Sequence, residues 1–320
     1  MRVPAPIRSL AIAAVVTAAG CGGPAAPDPY DQLATAIETT WSPIQVNIGI
    51  SATGPGTTFA LDPTNLALVV DTAGSRAAVH LSIPAEDLDL PPGALGLLGI
   101  DGNSIDFDLV YAGDALYVRS AILKSTLRMI LAPTGKLPSG DLGGWLKLGT
   151  SQELAALSAL GGSAAGLPSG APPPADDPDA FRTSLESAGI TITSAGTEKR
   201  NGADALHLKL AVDTAKLAAD PSFVAGVGAG AGGQRDATIA MIKSFAVNGD
   251  LWIDPATNHI VEWRSHFAAI ADATNAGDVA VTVGDPDGSV SLDAPSSFVD
   301  VPLGTLIAEM MKLLGKGAES

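Results

Sequence analysis

The chain has 320 residues and a formal net charge of −16, with 34 acidic side chains against 18 basic ones. Nothing this acidic, lacking any run of Lys and Arg, offers an electrostatic footprint for a phosphate backbone, so nucleic acid is excluded as a main partner. Hydrophobic residues make up 46% of the sequence, enough to fill the core of one large domain or two small ones. With a mean hydropathy of +0.29 and few aromatics, the chain is more apolar than most soluble domains, and part of that surplus is expected to line a cavity.

Residues 1–20 read as a secretory signal peptide. Arg2 and Arg8 form a short basic start, and Leu10 to Ala19 is an apolar stretch too short to span a bilayer. The following Thr17-Ala18-Ala19-Gly20-Cys21 resembles the bacterial lipobox, although Ala18 stands where leucine is usual. That resemblance implies cleavage before Cys21 and a lipidated, palmitate-type cysteine. The competing reading is an ordinary secretory signal with an accidental cysteine. Cys21 is the only cysteine in the chain, and an exported protein gains little from one unpaired thiol, which favours the lipid. Loss of Arg2 and Arg8 leaves 16 basic residues against 34 acidic ones and a net charge of −18. Residues 21–27, with Gly22-Gly23-Pro24-Ala25-Ala26-Pro27 after the cysteine, form a tether. No later segment has enough uninterrupted apolar residues to cross a membrane. The expectation is a body, residues 28–320, held peripherally on the outer face of the cell membrane. The alanine-rich composition points to a high-GC actinobacterium.

Asp28-Pro29 supplies a cap and a first-turn proline, and Leu33, Ile37 and Trp41 follow at helical spacing up to Ser42-Pro43. From Ile44 the period becomes two: Ile44, Val46, Ile48 and Ile50 alternate with polar or small residues, as in a strand with one wet face. Further strands are predicted at 57–61, 66–71 and 76–83, then at 105–110 and 116–118 around the Ala112-Gly113-Asp114 turn. Residues 122–131 carry a helical apolar stripe, and a short helix is predicted at 151–160. Gly161 to Ala175, made of Gly, Ala, Ser, Pro and Leu, reads as a flexible insertion. A helix near Asp177 to Ser187 and strands at 190–198 and 203–212 repeat the grammar of the first half. The segment 246–253 reads as a second hairpin, its Gly249-Asp250 matching Gly113-Asp114. Strands at 260–268, 279–283 and 290–292 complete the set. The fold class expected is α+β: one curved antiparallel sheet, a half-barrel of roughly 11–12 strands, covered by helices as a single domain.

This combination resembles the LppX/LprG-type lipid-binding lipoproteins within the LolA-like fold superfamily. The resemblance is carried by the lipobox, the N-terminal helix, Leu116-Tyr117-Val118-Arg119, Gly144-Trp145-Leu146-Lys147-Leu148, Gly249-Asp250-Leu251-Trp252-Ile253-Asp254 and Ile260-Val261-Glu262-Trp263. It implies a concave apolar sheet face that holds acyl chains under a roof of helices. The residues expected to line it are Leu68, Val70, Leu81, Phe107, Leu109, Leu208 and Leu210; which face is concave is not readable from the pattern. The insertions at 161–175 and 226–233 have no counterpart in the family pattern.

A catalytic reading needs a nucleophile with a base, a pair of converging carboxylates, or metal ligands at usable spacing. His80, His207, His259 and His266 are the four histidines. His207 sits on the polar side of an alternating strand and reads as a hydrogen-bonded strand residue; His259 and His266, seven apart on one predicted strand, fall on opposite faces and do not chelate together. No Gly-x-Ser-x-Gly elbow occurs. Asp285-Pro286-Asp287-Gly288 lacks the rest of a calcium loop and reads as a hairpin turn. Gly226 to Gly233 lacks the Gly-Lys-Ser/Thr ending of a phosphate loop and reads as an exposed loop. The last helix, with Leu303, Leu306, Ile307, Met310, Met311, Leu313 and Leu314, reads as a core helix; Met129, Met310 and Met311 are the candidate gate of the cavity. The function expected is non-enzymatic binding of a lipid or lipoglycan for transport or storage, without cofactor or metal and with envelope transport proteins as partners. The alternative is an anchored sensor or interaction protein that holds an envelope protein, marked by a packed core and an exposed apolar patch.

Overall fold

The computed structural model describes residues 28–88, 96, 100, 102–150, 152–153, 177–225, 235–301, 304 and 308. The leader, Cys21 and the tether therefore lie outside the described residues. So do most of the 91–99 loop and of the 151–160 helix, the 161–175 and 226–233 insertions, and most of the last helix with Met310 and Met311.

The first helix, α1 (Pro29–Glu38), starts as its sequence dictates: the Tyr30 N–H donates to the Asp28 carboxylate at 2.9 Å, with Pro29 at the first helical position. It ends three residues before the predicted Trp41, because Thr39 turns to extended backbone while its hydroxyl donates to the Thr35 carbonyl at 2.8 Å. The strands that follow are β1 (Ile44–Gly54), β2 (Thr57–Leu61), β3 (Leu66–Asp71), β4 (Arg76–Pro84), β5 (Ser104–Ala112) and β6 (Ala115–Ser120). Helix α2 (Ala121–Leu131), strand β7 (Leu146–Thr150) and helix α3 (Pro178–Ser187) come next. Then come β8 (Ile190–Arg200), β9 (Ala203–Val212), the short α4 (Thr214–Leu217), α5 (Arg235–Lys243), β10 (Phe245–Ile253), β11 (Ile260–Ala269), β12 (Ala276–Gly284) and β13 (Val299–Asp300).

Among the described residues 13 strands join one open sheet in the order β13-β7-β6-β5-β4-β3-β1-β12-β11-β10-β9-β8, with β2 also paired to β1. Pairing is antiparallel except between β13 and β7. The sheet is thus two meanders sewn together at its centre, where β1 pairs with β12 from Gln45↔Gly284 to Thr53↔Ala276.

Four expectations are corrected. Among the described residues the strand count is 13 rather than roughly 11–12, because the Gly144–Leu148 motif lies at a strand and β13 adds beside it. Residues 290–292 make no ladder; Val290 and Leu292 instead lay their side chains on Ala78, Val110 and Tyr117. Asp285 to Gly288 is accordingly no hairpin turn but the start of an irregular segment after β12. Finally, Gly249-Asp250 lies inside β10, paired to Ser265 and Arg264, whereas Gly113-Asp114 does turn the chain, with φ of 58° and 63°.

The turn between β3 and β4 is held by Asp71, which accepts from the Gly74 N–H at 2.9 Å and pairs with Arg76 at 2.7 Å. Arg76 above all, and then the Gly74 N–H, hold the Asp71 carboxyl below its ordinary value. The ionised group therefore stabilises the fold above the unfolded value of about 3.9, and that contribution disappears as pH falls through the lower folded value. Asp71→Asn is expected to be less stable than the parent in urea at pH 7, with the gap narrowing at pH 3. An equal gap at both pH values would show that the charge is not the cause.

Candidate functional site

Register places the apolar side chains singled out by the sequence pattern on one face. Leu68 pairs with Val79, and Val79 with Leu109; Leu81 pairs with Phe107; Val70 pairs with Ala77 and Ile44. Leu68 meets Val46 on β1, two residues from Ile48, which pairs across the central seam with Val281. From there the row continues through Trp263 and Leu251 to Leu208, with Leu210 one step along β9 opposite Gly249. Leu68, Val70, Leu81, Phe107, Leu109, Leu208 and Leu210 thus share one face, spread from β5 to β9. Sequence reasoning missed the bridge between the two groups, namely Val46, Ile48, Val79, Val281 and Trp263. The alternation in β1 was visible, but its long-range partner was not.

Helices pack on the two ends of this face. At one end Tyr30, Leu33, Ala34 and Ala36 of α1 and Phe181 of α3 bury against Ile192, Leu208, Leu251 and Ile253. At the other, Leu127, Ile130 and Leu131 of α2 close over Leu146, with Leu142 and Val301. Each such side chain taken fully from water contributes about 1.5–3 kcal/mol. Met129 is 71% exposed on the outward side of α2, away from those three buried residues.

The central strands show an inverted pattern. In β3, Ala67, Val69 and Asp71 are buried while Leu66, Leu68 and Val70 are only half-buried. In β5, Asp108, Val110 and Ala112 are buried while Phe107, Leu109 and Tyr111 are half-buried. In β1, Gln45 and Gly49 are buried, but Ile44, Val46, Ile48 and Ile50 are not. Trp263 on the same face is 42% exposed. The larger apolar groups therefore belong to the less sheltered side, the reverse of what a sheet with one wet face shows.

The opposite face carries an apolar cluster of its own, Ala78, Val110, Ala112, Ala115 and Tyr117, and beside it a set of paired polar side chains. His80 Nδ1 lies 2.7 Å from Asp108 Oδ1, and Arg119 donates to the other carboxylate oxygen at 2.9 Å. These residues, with Ser82, Ser104, Asp106 and Lys124, line a cleft of about 570 Å³. His207 Nε2 lies 2.6 Å from Asp250, and its ring stacks on Trp252, whose indole N–H donates to Glu198. His207 is a hydrogen-bonded strand residue, as its position suggested. His266 pairs with Asp278 at 2.9 Å, while His259 lies just before β11 and stacks on Trp41 with ring centres 4.2 Å apart. All four imidazoles are thus engaged with a carboxylate or a ring. Among the described residues no cluster of three or more His, Cys, Asp or Glu side chains is placed to hold a metal ion, and no helix is long and apolar enough to cross a membrane.

The sequence matches no family model and no curated protein. Among solved structures the chain is similar to the lipoprotein LppX of Mycobacterium tuberculosis, with a TM-score of 0.36 and 14% identity over 83% of this chain and 100% of that one. It is similar to LprF of Mycobacterium bovis, with a TM-score of 0.35 and 11% identity over 85% of this chain and 99% of that one. It is also similar to a LolA-superfamily protein of Nitrosomonas europaea, with a TM-score of 0.20 and 11% identity over 84% of this chain and 96% of that one.

Proposed function

We propose that the protein is a non-enzymatic lipid carrier, anchored through acylated Cys21 to the outer face of the cell membrane. In this reading the sheet curves as a half-barrel, the helices roof it, and the acyl chains of a lipid or lipoglycan lie along the apolar face. The observation that supports this most is the inverted burial of β1, β3 and β5, where large apolar side chains occupy the less sheltered side. An apolar band this wide left half-open is costly in water, at about 25 cal/mol per Å² of uncovered apolar surface, and an acyl chain covers it without needing any hydrogen-bond partner. Leu68, Val70, Leu81, Phe107, Leu109, Leu208 and Leu210 are the contacts proposed; Leu208, already fully buried under α1 and α3, would mark the closed end of the track. Met129, Met310 and Met311 are the proposed gate.

The test is native mass spectrometry of the body expressed without residues 1–21, before and after organic extraction. Release of a discrete lipid, and rebinding of a long-chain fatty acid by the extracted protein, are expected. A body that carries none and binds none removes the carrier reading and leaves the sensor reading, in which the same face meets an envelope protein.

A further inference from the structure

The two ends of the apolar face differ. At one end the strands finish at Arg200, Ile253 and Gly284, and the chain there is polar: Arg200, Asn201, Asp204, Asp254, Thr257 and Asp285 surround the stacked Trp41 and His259. At the other end, where β8 begins at Ile190 and β11 finishes at Ala269, two large apolar side chains project into water. Met241 of α5 is 57% exposed and Ile270 is 67% exposed. They belong to one small knot of backbone, since the Ser244 N–H donates to the Met241 carbonyl at 2.9 Å and the Ile270 N–H donates to the Ser244 carbonyl at 2.8 Å. Just below them Phe245 and Phe267 meet edge to face with ring centres 5.9 Å apart. Both lie on the apolar face, because they share the alternation of Leu251 and Trp263. Gly277 on β12 leaves room for this pair; a Cβ there would stand 2.3 Å from the Phe267 ring. The apolar face therefore reaches this end, with Ser265 as the one polar side chain between Trp263 and Phe267 on β11.

The chain enters at the same end. Asp28 pairs with Arg182, and the Tyr30 hydroxyl accepts from the Ile192 N–H at 3.2 Å, near the start of β8. The chain then runs through α1 and on to Trp41, whose indole N–H donates to Asp285 at the polar end. Residues 21–27 are all that separates Asp28 from Cys21, and seven residues reach no more than about 25 Å when fully extended. If Cys21 carries lipid, Asp28 is confined to that distance from the bilayer, and it enters at the end of the sheet that bears Met241 and Ile270 rather than at the polar end.

We propose that Met241 and Ile270 are a membrane-docking tip that seats this end of the sheet on the bilayer surface, with the Phe245–Phe267 pair at the water–lipid boundary. The proposal rests on the acylation of Cys21, and its docking partner is the lipid surface itself. It fixes the orientation of the sheet: strands upright on the bilayer and the Trp41–His259 end outermost.

Because Cys21 is consumed by the lipid, a second cysteine can be labelled uniquely. The full acylated chain carrying Ile270→Cys or, as the outer-end control, Ala256→Cys is labelled with the environment-sensitive dye NBD. It is then reconstituted into vesicles of phosphatidylglycerol and phosphatidylethanolamine. The expected result is a blue-shifted emission at position 270, quenched at least twofold by headgroup-region spin-labelled lipid, with emission at position 256 unchanged. Met241→Glu should reduce the quenching at 270 while the protein still floats with the vesicles. Floating vesicles with equal, unquenched emission at both positions overturn the docking tip and leave the anchor standing. A chain that does not float overturns the anchor, and the tip with it.

Discussion

Phe181→Ala is expected to lower the free energy of unfolding by about 3–5 kcal/mol, the usual cost of removing a buried phenyl group that leaves a cavity. The ring is 2% exposed and is held from three sides, by Leu33 on α1, Ile192 on β8 and Leu208 on β9. Ile37→Ala on the same helix face pair serves as the comparison: at 44% exposure it should cost well under half as much. Urea denaturation of both variants measures the difference, and a Phe181→Ala cost below about 1 kcal/mol would mean that α1 and α3 are not seated as described.

The second large effect concerns binding. Leu68 and Leu109 lie in one row across β3, β4 and β5, joined by Val79, so they stand about 10 Å apart on the same face. Both are half-buried. Changing both to Gln places two amides, with no partner, where an acyl chain would lie, and each desolvated amide costs about 1–3 kcal/mol. At about 1.4 kcal/mol per factor of ten, the double variant should bind a fluorescent fatty acid at least tenfold more weakly. Because these positions already see water, the loss in fold stability should be much smaller than for Phe181→Ala. Lys209→Gln, exposed on the other face, should leave affinity unchanged. Undiminished affinity in the double variant would place the ligand elsewhere.

What the sequence disclosed and what it hid follow from the range of the interactions involved. Local chemistry was legible: Asp28 and Asp177 cap the helices they precede, and the alternation of Ile44 to Ile50 and of Leu206 to Leu210 marks strands with one apolar face. The dipeptide Gly-Asp was ambiguous because its meaning depends on surroundings. At 113–114 both residues have positive φ and turn the chain. At 249 the glycine instead admits a close neighbour, since a Cβ would lie 3.0 Å from the Arg264 carbonyl oxygen. Val290 and Leu292 alternate like a strand but are paired to nothing, because their apolar contacts are with the far side of the sheet. The candidate face was legible in its separate pieces. Its continuity was not, because it depends on β1 pairing with β12, and no local pattern encodes a partner so far along the chain.

That seam sets a timetable. The two strands at the centre of the sheet are separated by residues 55–275, so β1 is made well before its partner. At about 5–20 residues per second, β1 waits on the order of ten to forty seconds for β12. During that interval the first meander stands as a half-sheet with one long side of β1 unpaired and its apolar residues Ile44, Val46, Ile48 and Ile50 uncovered. Such an edge is a template for pairing with other chains. The protein is therefore most exposed to aggregation before its C-terminal third arrives, and a holdase that binds extended apolar strands would act on it during that window.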